Sequence, residues 1–151
     1  MLELARAGDW ESVRRLSVQI HDLHVAWRPD IYYHSEEPLA KESFEDAIRN
    51  RLLYVAKVGG SVVGYVLLSI QNRGGPGAHV HKQMRIDSIC VDEAFRGQGI
   101  GKAMVSDVRA LAKAFGCRDL ILGVHPENDK AVGFYQKCGF RIRTIQLDMK
   151  I

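Results

Sequence analysis

The sequence lacks any apolar run approaching the roughly 20 residues of a membrane span, so no membrane partner is expected. Cysteine is sparse. Cys90, Cys117 and Cys138 are odd in number and scattered, which argues against a disulfide framework and reads as reduced thiols in a cytoplasmic protein. An excess of one charge is missing as well: 21 Lys and Arg stand against 18 Asp and Glu, and a net charge of +3 is too small for a nucleic-acid surface. It modestly favours an anionic ligand such as a nucleotide. Met1 to Arg6 does not read as a signal peptide. Repeats, low-complexity tracts and linkers are absent too. The 151 residues therefore read as one domain, 1–151, long enough to bury its own core.

What is present is an alternation of strand and helix patterns. Leu2 to Arg6 can form a first strand, and Asp9 is a good N-cap for the helix after it. Val13, Leu16, Ile20, Leu23 and Trp27 recur at three and four residues and give that helix one apolar face, ending before Pro29. A connection over 28–38 is rich in aromatics and charge. A shorter helix around 40–50 would bury Phe44, Ala47 and Ile48. Leu52 to Val58 and Ser61 to Ile70 read as a hairpin turned at Gly59-Gly60. Residues 72–77 read as a loop, with His79 and His81 beside it and facing solvent.

The next strand runs from about Gln83 to Val91. Simple alternation puts Arg85, Asp87, Ile89 and Val91 on one face and Ile86, Ser88 and Cys90 on the other. Ile100, Met104, Val108, Leu111 and Phe115 make a helical stripe closed by Gly116. Leu120 to Val124 is wholly apolar, as in a parallel strand buried on both faces. Asn128 can cap a last helix and Gly139 can end it. Phe140 to Ile151 reads as a final strand, irregular enough to carry a bulge, with Ile142, Ile145, Leu147 and Met149 as buriable residues.

Between Val91 and the third helix lies Arg96-Gly97-Gln98-Gly99-Ile100-Gly101-Lys102-Ala103. Glycine at every second position leaves backbone N–H groups uncovered at a helix start, which suits a phosphate or pyrophosphate. The dinucleotide fingerprint G-x-G-x-x-G fails because position 102 is Lys102, and the Walker loop fails at Ala103 and in its spacing. R-x-x-G-x-G fits, through Arg96, Gly99 and Gly101. The loop sits at the carboxyl end of the first strand of a βαβ unit, where open α/β sheets bind ligands. About thirty residues on, N-x-x-A-x-x-x-Y-x-x-x-G-F is met by Asn128, Ala131, Tyr135, Gly139 and Phe140.

These two segments, in this order, resemble the cofactor-binding motifs of the GNAT superfamily of N-acetyltransferases. The resemblance covers nearly the whole chain and is best from Gly59 to Phe140. It implies an α/β (α+β mixed) fold: a twisted mixed β-sheet of about six to seven strands with four helices and a splayed pair of parallel central strands. It implies acetyl-CoA as cofactor, its pantetheine against the backbone of Ile89, Cys90 and Val91 and its pyrophosphate on Arg96, Gly97, Gln98, Gly99, Ile100 and Gly101, with Lys102 and Ala103 opening the helix. Asn128, Lys130, Ala131, Phe134 and Tyr135 would contact the same cofactor from the last helix.

Direct acetyl transfer needs an amine stripped of its proton, donors for an oxyanion and a proton for the leaving thiolate. The Val91 N–H is the expected oxyanion donor. Tyr135 takes the family's general-acid position, and Asp87 is the candidate base, acting through water. Trp27, Tyr32, Tyr33, Glu36 and Asp87 fall where the fold builds its acceptor site, for a small-molecule or peptide amine. No metal is expected: His21 and His24 share a helix face but lack further ligands. A homodimer fits the family's habit. The alternative function is a non-catalytic acyl-CoA-binding sensor or partner-binding module.

Overall fold

A computed structural model describes residues 1–151. Its strands are β1 (Leu2–Leu4), β2 (Leu53–Val58), β3 (Ser61–Gly75), β4 (Ala78–Val91) and β5 (Asp119–Leu122). Its helices are α1 (Trp10–Trp27), α2 (Lys41–Arg49), α3 (Ile100–Ala114) and α4 (Asp129–Lys137). The sheet runs β1-β2-β3-β4-β5, antiparallel up to β4 and parallel between β4 and β5. The mixed sheet with four helices is as the sequence implied, but it holds five strands rather than six to seven.

Each face of the sheet buries its own core. Val63, Val66, Leu68, Met84 and Ile86 pack under Ile100, Met104 and Val108 of α3. Leu53, Val55, Tyr65 and Cys90 pack under Val13 and Leu16 of α1 and Phe44 of α2. Each fully buried Val, Leu or Phe contributes about 1.5–3 kcal/mol, so these two apolar faces dominate the fold. Gly59 and Gly60 turn the β2–β3 hairpin with φ of +57° and +82°, a geometry that favours glycine.

Four expectations are corrected. The 72–77 loop is mostly strand. Pairing continues through Arg73↔His81 to Gly75↔Ala78, so cross-strand bonds override the loop composition. His79 and His81 therefore lie on β4. His81 is only 11% exposed at its side chain, 3.2 Å from Asp119 and 3.1 Å from Arg118, and does not face solvent freely. Asp9 does not cap α1 with its side chain. Its carboxylate accepts the Arg6 N–H and pairs with Lys57 at 3.2 Å. The final strand from Phe140 does not form: residues 140–151 pair with no strand, and Ile145, Leu147 and Met149 stay exposed. The tail is held by its polar side chains instead, Asp148 to Arg28 at 3.1 Å and Lys150 to Asp30 at 3.2 Å.

Candidate active site

The ligand-sized opening is made by the sheet. β4 and β5 pair only from Gln83↔Asp119 to Ile86↔Leu122. Beyond that point β4 continues to Val91 while β5 ends, leaving a wedge. The Asp92 N–H donates to the Val63 carbonyl at 2.8 Å. In an antiparallel ladder this turns the backbone groups of Cys90 toward β3, and those of Ile89 and Val91 away from it, into the wedge. The Val91 carbonyl accepts from Arg96 Nε at 3.0 Å, so the Val91 N–H is the group left for a ligand. Cys90 is thus part of the β3–β4 ladder. Its side chain is buried in the opposite core, and burial pushes its thiol up to about 11 against the lowering pull of Arg96.

The glycine loop follows a single 3-10 turn, Glu93–Phe95. Gly97 and Gly99 adopt φ of +78° and +82°, which L side chains rarely tolerate, and Gly99 is the N-cap of α3. No side chain caps this helix start and no acidic residue sits in its first turn. The N–H groups and the positive end of the helix dipole are therefore available to an anion. Ile100 is buried beneath the loop and can offer a ligand only its backbone, whereas Gln98 and Lys102 are exposed.

Sequence reasoning missed what anchors this loop. Buried Asp92 pairs with Arg15 at 2.7 Å and accepts from Ala94 N–H at 3.2 Å and Gln19 at 3.4 Å, while Gln19 in turn accepts the Glu93 N–H. Burial works to raise the Asp92 carboxyl, but these hydrogen bonds outweigh it and hold it below the usual carboxylate range. The available signal was an aspartate directly after an apolar strand, a place for a side chain that bonds the backbone two residues on.

The second motif closes over the first. The ring of Phe134 lies 3.4 Å from where a Cβ on Gly101 would stand, with Val91 Cγ2 at 3.8 Å. At Gly101 the helix α4, the start of α3 and the end of β4 thus come within van der Waals reach of one another. Asn128 precedes α4 without a side-chain cap bond. Tyr135 stacks edge-on between Phe134 and Phe140, at 5.1 and 5.7 Å. Burial pushes its hydroxyl up to about 12, with Cys138 and Cys90 adding to the shift, so it is protonated at neutral pH.

The residues expected to form an acceptor site separate. β4 carries a bulge: Leu67 pairs with Ser88 and Leu68 with Ile86, which makes Asp87 the extra residue. Ile89 and Val91 consequently share the α3 face with Met84 and Ile86, and simple alternation fails. Asp87 lies 3.3 Å from Arg85 and accepts from the Ser69 hydroxyl at 3.1 Å. Trp27 and Tyr32 come together around His24 and His125, which contributes from the loop after β5. Tyr33, at 83% exposure, and Glu36, bonded to His34, point elsewhere. A cavity of about 160 Å³ opens between α1 and the sheet, lined by His21, His24, Tyr65 and Ser88 among others. A larger hollow of about 460 Å³, between α2 and β3, is lined by Leu67, Leu68 and Ser69 but by no residue of β4 or β5, which form the wedge. No group of three or more His, Cys, Asp or Glu side chains is placed to hold a metal ion.

The sheet opens between two parallel strands, beside a bare helix N-terminus and a helix that carries a protonated tyrosine, which leaves backbone donors and room for an extended, anionic ligand. The chain matches the acetyltransferase (GNAT) family over residues 17–140 and belongs to it. It is 35% identical to the glucosamine 6-phosphate N-acetyltransferase of Trypanosoma brucei brucei over 95 residues, covering 60% of this chain and 59% of that protein. It is 28% identical to the spermine/spermidine N(1)-acetyltransferase of Bacillus subtilis, covering 81% of this chain and 79% of that one. The first three curated relatives are matched over only 51–65% of their own lengths. A crystal structure of a mutant BH1408 protein from Bacillus halodurans superposes with a TM-score of 0.94 at 27% identity, covering 100% of this chain and 99% of that one. No helix is long and apolar enough to cross a membrane.

Proposed function

We propose that this chain is an N-acetyltransferase that moves the acetyl group of acetyl-CoA directly onto a primary amine of a small molecule or peptide. One observation carries this reading: Gly101, Val91 and Phe134 meet, so the glycine loop, the end of β4 and the Tyr135 helix share one site. The residues present fit the cofactor. Open N–H groups from Gly97 to Lys102 would hold its pyrophosphate. Ile89 and Val91 would pair with its pantetheine arm, flanked by Asn128, Lys130, Ala131 and Phe134 from α4. Acetyl-CoA supplies the acetyl group already activated as a thioester.

The chain's own groups do the rest. The Val91 N–H donates to the oxygen on which negative charge develops. Tyr135 gives its proton to the departing sulfur, for which a hydroxyl protonated at all physiological pH is the right starting state. Asp87, held by Arg85 and Ser69, is the carboxylate that β4 carries just ahead of the wedge. The relatives named above take acceptors as different as a sugar phosphate amine and a polyamine; what these share is the primary amine.

A second copy of the chain is the proposed partner. Ile145, Leu147, Met149 and Ile151 alternate with polar residues and are exposed, and a two-fold pairing of the extended tails would cover both stripes at once. Three unpaired cysteines suit a reducing, cytoplasmic setting. The test is calorimetry with acetyl-CoA followed by thiol release on a panel of primary amines. Binding with amine-dependent release supports the enzyme. Binding without release from any amine would leave an acyl-CoA-binding module.

A further inference from the structure

His24 stands where two groups of side chains meet. Toward the sheet it lines the cavity of about 160 Å³, which Tyr65 and Ser88 close from β3 and β4. Ser88 is next to Ile89, whose backbone faces the wedge, so this cavity lies against the stretch of β4 that enters the wedge. Away from the sheet His24 lies against Trp27, Tyr32 and His125, at ring separations of 5.6, 5.7 and 5.3 Å. The groups facing it are His21 on its own helix, Tyr32 from the connection, His125 from the loop after β5, and the Tyr65–Ser88 hydroxyl pair from the sheet, 2.6 Å apart. None of the cavity's lining residues carries a carboxylate. Asp22 and Glu36 are bonded to His34 instead.

An amine reaches the enzyme as an ammonium ion and must shed a proton before it can attack. Asp87 is engaged by Arg85 and Ser69. Resting on the acetyltransferase reading, we propose that His24 is the proton acceptor for the incoming amine and that the α1–β4 cavity admits that amine. Burial, with His125 and His21 beside it, holds His24 below its ordinary value, so its ring carries a free lone pair at neutral pH. The ammonium gives one proton to His24, which returns it to water. The neutral nitrogen attacks the thioester carbon, and the carbon–nitrogen bond forms as the oxyanion develops against the Val91 N–H. The carbon–sulfur bond then breaks, and the sulfur takes the Tyr135 proton. Tyr135 regains a proton from the nitrogen, which is left as a neutral amide. The products are acetamide, thiol and one released proton.

The test uses the fastest amine of the panel and, beside it, hydroxylamine, which is already neutral at pH 7. In His24→Gln, kcat/KM for the ordinary amine should fall about 100-fold, the scale of general-base catalysis. Hydroxylamine acetylation should change by less than about threefold, because no ammonium proton has to be removed. The rising limb of the pH profile assigned to His24 should vanish, and added imidazole should restore part of the rate of His24→Ala. Unchanged acetyl-CoA affinity in the variants certifies the fold. A wild-type rate with the ordinary amine in His24→Gln overturns the proposal and leaves the acetyltransferase reading standing. So does an NMR titration of the imidazoles showing His24 protonated at pH 7. If no amine is acetylated by the unaltered protein, the acetyltransferase reading falls and this proposal falls with it.

Discussion

The proposed cofactor side and the proposed acceptor side of this site are built by different means. The cofactor side is mostly backbone: N–H groups at the start of α3, the open edge of β4 and glycines that keep them uncovered. The proposed acceptor side is almost all side chain: His24 and Trp27 from α1, Tyr32 from the connection, Tyr65 and Ser88 from the sheet, and His125 from the loop after β5. A backbone cradle needs particular conformations, hence glycine at fixed positions. A side-chain pocket can be assembled from distant residues in many ways, so it can vary its acceptor while the cradle keeps one cofactor.

That contrast can be broken with substitutions on each side. The largest expected effect is Tyr135→Phe. It should lower kcat by about 10²–10⁴, the range for a lost general acid, with acetyl-CoA affinity within about threefold. Steady-state kinetics beside calorimetry separates the two. Next is Gly99→Val. Forcing a β-branched residue to φ +82° costs about 1–2 kcal/mol, read as a Tm drop of about 2–8 °C, and acetyl-CoA affinity should fall at least about tenfold.

Asp92→Asn tests the anchor under the cradle. Losing a charged hydrogen-bond acceptor that is buried costs about 2 kcal/mol in thermal or urea unfolding. The folded carboxyl is held below its unfolded value, so its stabilisation is present above about pH 4 and disappears as pH falls through the folded value. The variant should lack that step in an acid-unfolding series. Smallest is Tyr33→Ala: an 83%-exposed ring outside the cavity should leave both kcat and KM within about twofold. A large rise in KM would show that the acceptor side extends further than the His24 cavity.

Much of the fold was legible because its signals are local. The stripe of Ile100, Met104 and Val108, the Gly59-Gly60 turn and the glycine loop each declare themselves within a few residues. The bulge at Asp87 was not legible. It is set by pairing with Leu67 and Leu68 about twenty residues away, and it flips the face that alternation assigned. The tail misled for the converse reason. Its apolar alternation is that of a strand, but a strand needs a partner, and the four residues of β5 are paired to β4 only. His125 carries no motif of its own and enters the site only because β5 ends just before it. Arg15 and Gln19 read as the polar face of α1 until Asp92 is folded against them.

The most direct measurement is amine-dependent release of CoA thiol from acetyl-CoA by the purified chain, with the product mass recorded. Release is expected in step with the appearance of a singly acetylated amine, and slowed about 10²–10⁴-fold by Tyr135→Phe. A protein that binds acetyl-CoA yet releases no thiol with any primary amine, or that releases it just as fast after Tyr135→Phe, would contradict it.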